Sequence, residues 1–302
     1  MLNLFLFFAK QILVLGGFKV TAIPAKLYRE LLTALESLLK EPVVLIPSLV
    51  EMCKTLPGKL IVDDTSNPKY GLKAISQKLF DPSNGHYSHG YKVLLFLWET
   101  GTYRIPVGFA LHHKQSLPLT DLALTGFSAL RNQYGLKPEV VLADAAYASG
   151  EIAKRLDDYG WAFVMGWQSN RTLSEVNVKQ AIPRGYGEAS GRLPNGTKVK
   201  AVRRKKKFLI CNRLLKTSPE IWAWYRKRWC VEEVFRILKS CLGLSGCQQH
   251  STKAQACYLF LLFLLFACLE LVSGHSVYRT CQAVTSQEQA LENILKQELL
   301  VL

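Results

Sequence analysis

Between Trp222 and Leu242 the sequence reads WAWYRKRWCVEEVFRILKSCL, and Tyr225, Arg228, Glu232 and Lys239 stand within it. The stretch has no Gly or Pro and predicts one continuous helix. At about 100° per residue, Tyr225 and Lys239 fall roughly 20° from Glu232 and Arg228 roughly 40° away. A carboxylate, two cations and a phenol thus share one stripe. Val231, Val234, Phe235, Leu238 and Leu242 form a separate apolar stripe that would bury the helix beside it. Two short apolar runs also end in acid, Lys59–Asp64 (KLIVDD) and Glu139–Asp144 (EVVLAD), and both read as buried strands. Asp63 or Asp64, Asp144 and Glu232 together supply the hard oxygen donors that suit magnesium or manganese. Such ions serve phosphodiester chemistry, activating an attacking water or 3′-hydroxyl and stabilising a leaving oxygen. Tyr225, Arg228 and Lys239 would then hold the adjoining phosphates. Taken alone, the stretch reads equally well as a basic amphipathic helix with an incidental glutamate.

The elements that must position these groups are legible in outline. Residues 1–56 look helical, with leucines at helical spacing from Leu27 to Leu39. Residues 65–89 are rich in turn formers and Lys and read as a loop. Tyr91–Trp98 and Tyr103–Leu111 read as a hairpin, with Pro106 marking an irregular or edge strand. Helices are expected over Thr120–Tyr134 and from Ser149 to Asp158, and a strand over Trp161–Trp167. Residues 168–215 form a polar, basic insertion with strands, including the run Arg203, Arg204, Lys205, Lys206, Lys207. Pro219 opens the central helix at its first turn. Helices are expected again at 254–272 and near 284–300. Alternating strands and helices with acids at strand ends predict an α/β layer fold with helices on both faces.

The 302 residues carry 38 Lys and Arg against 23 Asp and Glu, a net charge of +15. That surplus favours a polyanionic partner: DNA, RNA or an anionic membrane surface. None of the eight cysteines forms a C-x-x-C pair, so they read as reduced residues of an intracellular protein. Cys241, Cys247 and His250 lack the spacing of common zinc sites. Met1–Gly17 has no basic n-region and makes a poor signal peptide. Ala254–Val272 has the length of a membrane span but carries Gln255 and Glu270, and a buried core helix is the expectation.

Tyr225, two residues, Arg228, three residues, Glu232, six residues, Lys239 resembles the Y-R-E-K signature of bacterial insertion-sequence transposases of the DDE type, in the group named after insertion sequence four. LIVDDT (60–65) resembles that group's first-Asp motif and VLADAAYAS (141–149) its second. The resemblance covers roughly 60–245 and selects Asp64, Asp144 and Glu232 as catalytic metal ligands. Strand alternation groups Asp64 with Leu60 and Val62. Helix geometry sets Glu233 off the stripe of Glu232.

The resemblance implies an α/β fold of RNase H-like type. This would be a mixed sheet flanked by helices, with a small β-rich insertion before the last catalytic helix. The expected organisation is an N-terminal helical region (1–56) belonging to a DNA-end-binding part, a catalytic core (57–167 and 216–253), the insertion (168–215) and C-terminal helices (254–302). It further implies two Mg2+ or Mn2+ ions and cleavage and strand transfer at the ends of a mobile insertion sequence. The partners would be double-stranded DNA, as terminal inverted repeats and target, and a second copy of the chain on that DNA. No membrane is expected, and the setting is the bacterial cytoplasm.

The run Arg203–Lys207, with Arg203, Arg204 and Lys205 foremost, is a candidate DNA-backbone contact in that setting and otherwise a solvated face. His86 and His89 are expected at a surface, as are His112 and His113. Trp161, Trp167, Trp222 and Trp224 are expected in packing, with one of them available to stack on an extruded base. The alternatives are an RNase H-like nuclease or resolvase that cuts without joining, and a DNA-binding derivative with a dead site.

Overall fold

The computed structural model describes residues 33, 38–69, 76–81, 85–247, 249, 251–273 and 277. The elements are β1 (Val44–Leu45), α1 (Pro47–Lys54), β2 (Lys59–Pro68), β3 (Gln77–Asp81), β4 (His86–Glu99), β5 (Arg104–His112), α2 (Leu119–Asn132), β6 (Val141–Ala143), α3 (Gly150–Asp158) and β7 (Phe163–Trp167). Then follow β8 (Thr172–Leu173), β9 (Val176–Asn177), α4 (Val178–Ala181), β10 (Tyr186–Arg192), β11 (Lys198–Arg204), β12 (Lys207–Cys211), α5 (Ser218–Lys227), α6 (Cys230–Ser240) and α7 (Thr252–Ser273). Of the helical region expected over 1–56, only 33 and 38–56 are described, and there the strand β1 precedes α1; the helix expected near 284–300 lies outside the described residues.

One sheet of 10 strands runs in the order β1-β5-β4-β2-β6-β7-β12-β11-β10, with β3 paired to β4 off that path. β2, β4 and β5 form an antiparallel meander, and β6 and β7 continue it in parallel with β2. The insertion does not stand apart: β12 pairs antiparallel with β7, and β11 and β10 extend the same sheet. Pro106 falls where the β4–β5 register shifts, beside a bulge that excuses its missing donor.

Helices cover both faces. Val62 pairs with Phe96, and Phe96 meets Phe127 of α2 edge-on at 5.8 Å. An added Cβ on Gly126 would fall 2.1 Å from the Phe96 ring, so α2 needs a glycine there to approach. The residues between these in the strands point the other way. Asp63 pairs with Leu95 and Leu95 with Phe109, whose ring lies 5.1 Å from Phe263 of α7. Neighbours across a ladder share a face. Even-numbered residues of β2 therefore face α2, and odd-numbered ones face α7.

Two sequence expectations are corrected. The described parts of 65–89 are strands rather than a loop: β2 runs on to Pro68, and β3 and the start of β4 form an arm against it. The polar run can be a strand because its side chains are satisfied. Buried Asn67 donates to Tyr91 Oη at 2.8 Å and to the Leu244 carbonyl, and Ser245 donates to its Oδ1 at 2.6 Å. The predicted single helix over 222–242 is two helices. Arg228, Val231 and Glu232 donate to carbonyls three residues back, a tighter turn that separates α5 from α6. The start is as expected: Pro219 lies in the first turn, and Thr217 and Glu220 form a capping box.

The apolar helix α7 is long and apolar enough to cross a membrane, yet 83% of its apolar window is buried inside the fold. Gln255 and Glu270 within it are paired there. Gln255 accepts from Tyr91 Oη at 2.5 Å, and Glu270 accepts from Arg104 Nε at 2.6 Å and Nη2 at 2.8 Å. Arg104 also reaches Glu233 of α6 at 3.3 Å, so one buried guanidinium ties β5 to both helices.

Candidate active site

Asp63 and Asp144 lie side by side. Val62 is in register with Ala143 on the parallel strands β2 and β6, and Asp144 continues in extended backbone before a short 3-10 turn. One step beyond a registered pair, the next two side chains leave the sheet together on the opposite face. That is the face covered by α5 and α6. Tyr225 Oη donates to Asp144 Oδ1 at 3.2 Å. Arg228 Nη1 donates to the buried Asp63 Oδ2 and stands 3.6 Å from Glu232 Oε1. Asp63, Asp144 and Glu232 are thus joined through two side chains of the Tyr-Arg-Glu stripe, with Glu232 the most exposed of the three.

Asp64 is placed elsewhere. Its Oδ1 accepts from the buried Tyr147 hydroxyl at 2.5 Å, and its Oδ2 pairs with Lys92 at 2.9 Å. The expected grouping of Asp64 with Leu60 and Val62 is correct, but that set faces α2, away from Arg228 and Glu232. The acid from LIVDDT on the glutamate's side is Asp63.

Burial dominates the charge balance. It raises the Asp63 carboxyl to about 7, against the lowering pull of Arg228 and with a further raising push from Asp64. Burial also raises the Tyr225 phenol, and the Asp144 carboxylate adds to that, so the group stays a neutral donor.

Lys207 completes the cluster and was not singled out from the sequence. Its Nζ stands 4.6 Å from the Tyr225 ring centre, and the Arg228 guanidinium carbon 5.7 Å from it. Burial lowers the Lys207 ammonium, as does Arg228, while Asp144 raises it. The signal was the basic run itself, but which member turns inward depends on the β11–β12 hairpin. Arg203 of the same run is held locally: it donates to the carbonyls of Ile182 and Pro183 and stacks on Phe208 at 4.9 Å. Arg204 and Lys205 lie at the exposed turn of that hairpin, with Lys205 at φ 56°. Lys239 stands near the C-terminus of α6 beside Asp64 and Lys92 in a separate groove.

Among the tryptophans, Trp161 and Trp167 are buried and Trp222 and Trp224 half-buried, as expected of packing residues. Trp229 differs. It is 64% exposed at the α5–α6 break, and Glu232 N donates to its carbonyl. His86 and His89 are exposed, whereas His112 and His113 are half-buried, and His112 Nδ1 lies 3.1 Å from Ser116 Oγ.

Among the described residues, no three His, Cys, Asp or Glu side chains stand close enough to hold one ion. Arg228 Nη1 occupies the space between Asp63 and Glu232. The donor chemistry nevertheless fits a hard divalent cation. All three donors are carboxylates, and the buried one needs positive charge beside it to ionise near neutrality.

A central antiparallel meander, two parallel strands with acids at adjacent ends and a covering glutamate helix thus frame the site. Residues 54–268 match the family described as Transposase DDE domain. The chain belongs to that family of transposases. Among solved structures it is similar to a piggyBac transposase synaptic complex with hairpin DNA, determined by cryo-EM. The identity is 13% and the TM-score 0.54, over 93% of this chain and 59% of that one. That likeness concerns the fold, which is RNase H-like. This chain spans 59% of the length of that transposase. A Drosophila P element transposase strand transfer complex aligns over 95% of this chain and 63% of that one, at 11% identity and a TM-score of only 0.22. No curated protein matches the chain.

Proposed function

We propose that the protein is a DNA transposase of the insertion-sequence-four group, acting by cleavage and strand transfer at the ends of its own mobile element. The observation that carries this reading is the adjacency of Asp63 and Asp144 under the stripe of Tyr225, Arg228 and Glu232. Asp63 takes the first-acid role for which the motif alone selected Asp64. Asp63, Asp144 and Glu232 would hold a pair of divalent ions, Mg2+ or Mn2+. When bound, these supply Lewis-acid activation of a water or 3′-hydroxyl and neutralise the leaving oxygen.

The chain's own side chains do the rest. Arg228 and Lys207 bring two positive charges to the Tyr225 ring, where a scissile phosphate can be held against the acids. Tyr225 keeps its proton and orients Asp144. Trp229 presents an exposed indole one tight turn from Glu232, suited to stacking on a base unpaired at the cleaved end. Arg204 and Lys205 are suited to backbone contacts further out, and Lys239 to contacts at the neighbouring groove. The partners are terminal inverted repeats and target DNA, with a homodimer formed on that DNA, because joining two ends needs two protein–end complexes. A cytoplasmic, nucleoid-associated location follows from that partner.

The test is an end-cleavage and strand-transfer assay with Mg2+ on DNA carrying the element's terminal repeats. Joined products that vanish in Glu232→Gln support the reading. Nicked products without joining would favour a nuclease, and unchanged processing in Glu232→Gln would sink the catalytic assignment.

A further inference from the structure

We infer that the arm made by β3 and the start of β4 is a binding surface for an unpaired strand of DNA. The inference rests on the transposase reading and adds a contact outside the acids. In the antiparallel register Phe80 lies opposite Tyr87 and Lys78 opposite His89. These four side chains therefore share one face of the arm, while Leu79 turns to the other and is buried. The shared face is open. Phe80 is 52% exposed and Tyr87 62% exposed, with ring centres 5.1 Å apart and tilted by 52°. Lys78 Nζ stands 4.1 Å from the Tyr87 ring centre.

Leu79 anchors the arm, so packing does not account for the aromatic pair. An exposed aromatic pair with an interleaved ammonium has the composition of a single-strand stacking platform: π-faces for bases and a cation for the backbone. A groove of about 900 Å³ lies beside the arm, apart from Asp63, Asp144 and Glu232. Lys78 and Phe80 line it from the arm, Lys92 and Asp64 from the sheet, and Lys239 from the helix that carries Glu232. The Asp64 carboxylate in this groove is neutralised by Lys92 at 2.9 Å. Along β4, Tyr87 lies eight positions from Leu95, the partner of Asp63. That is roughly 26 Å at the rise of a strand. A strand that leaves the acids and follows β4 would thus meet the aromatic pair after a distance worth about eight duplex base steps, and fewer nucleotides if stretched. A paired duplex keeps its base faces covered and would use only the lysines. The rings select DNA whose bases are free.

The experiment measures binding of the full chain to three probes by fluorescence anisotropy: a mixed-sequence single-stranded oligonucleotide, the blunt duplex of that sequence, and the same duplex with a splayed end. The double substitution Phe80→Ala with Tyr87→Ala should weaken the single-stranded and splayed probes about tenfold or more. The blunt duplex should stay within about twofold. Tyr87→Phe keeps the ring and should restore most of the binding, which separates stacking from a folding defect. Lys78→Ala should reduce the salt slope on the single strand by about one. Equal losses on all three probes, or no loss on any, would overturn the proposal. DNA processing that survives Glu232→Gln, combined with selective loss of single-strand binding in the arm variants, would sink the catalytic reading and leave the arm standing. Intact Glu232 dependence without that selective loss would do the reverse.

Discussion

Arg228 Nη1 bonds to Asp63, 165 positions away in the chain, and the same nitrogen lies 3.6 Å from Glu232 on the next turn. One guanidinium thus measures the gap between a strand acid and a helix acid, and holds a positive charge where the site concentrates negative ones. It also separates the two tandem aspartates by role.

The first prediction follows from that separation. Asp63→Asn should lower strand cleavage by about 100-fold or more, the scale of losing one preorganised charged group. Asp64→Asn leaves the acids on the α5–α6 face intact, removes a partner of Tyr147 and Lys92, and should cost about tenfold. Single-turnover cleavage on a labelled DNA end reads both, and a reversed order would return the first-acid role to Asp64.

Within the basic run, Lys207→Ala should weaken DNA binding and reduce the salt slope by about one, because its ammonium stands at the Tyr225 ring. Arg203→Ala should leave the slope unchanged and instead loosen the insertion, whose carbonyls at Ile182 and Pro183 it caps. Titration of affinity against salt and a thermal melt distinguish the two effects.

The Arg104–Glu270 pair is fully buried, with side chains 2% and 0% exposed. Glu270→Ala leaves that guanidinium with Glu233 as its paired carboxylate and should destabilise the fold by about 3 kcal/mol in urea unfolding. Replacing both partners with apolar residues, Arg104→Met with Glu270→Leu, should recover most of the loss, since the desolvation cost of the ions goes with them.

Lys69 donates at 2.7 Å to the carbonyls of Ser245 and of Cys247, and burial lowers its ammonium from 10.5 to about 8. Between these two values the unfolded chain binds more proton than the folded one, so this group's contribution to stability rises with pH from about 8 to 10.5. The pH dependence of urea unfolding, compared between the native chain and Lys69→Met, isolates it. The variant should lose that rise, and parallel curves would show that Lys69 is not strained by burial.

Much of this was legible before any fold was known. The apolar runs ending at Asp64 and Asp144, the Ser149 and Pro219 helix starts and the burial of α7 all rest on local pattern. The arm of 77–81 and 86–90 was not legible, because its polar residues look like a loop until Asn67, Tyr91 and Ser245 close a network between distant segments. An added Cβ on Gly90 would fall 2.2 Å from the Asn67 carbonyl oxygen, a close approach that no run of turn formers announces. Trp229 was passed over because a tryptophan in an amphipathic stretch normally packs, and the break that exposes it arises in the backbone turn after Tyr225.

The sequence by itself determined the residue types of the site, their order along the chain and the strand or helix character of the segments that bear them. Those follow from short-range periodicity, capping and spacing, which act within a few residues. Only the tertiary structure decided which aspartate meets the glutamate and which lysine meets the tyrosine. Alternation divides Asp63 from Asp64 without saying which face α5 and α6 will cover. That choice is made by Val62 and Phe96 packing under α2, which turns Asp63 toward the other layer.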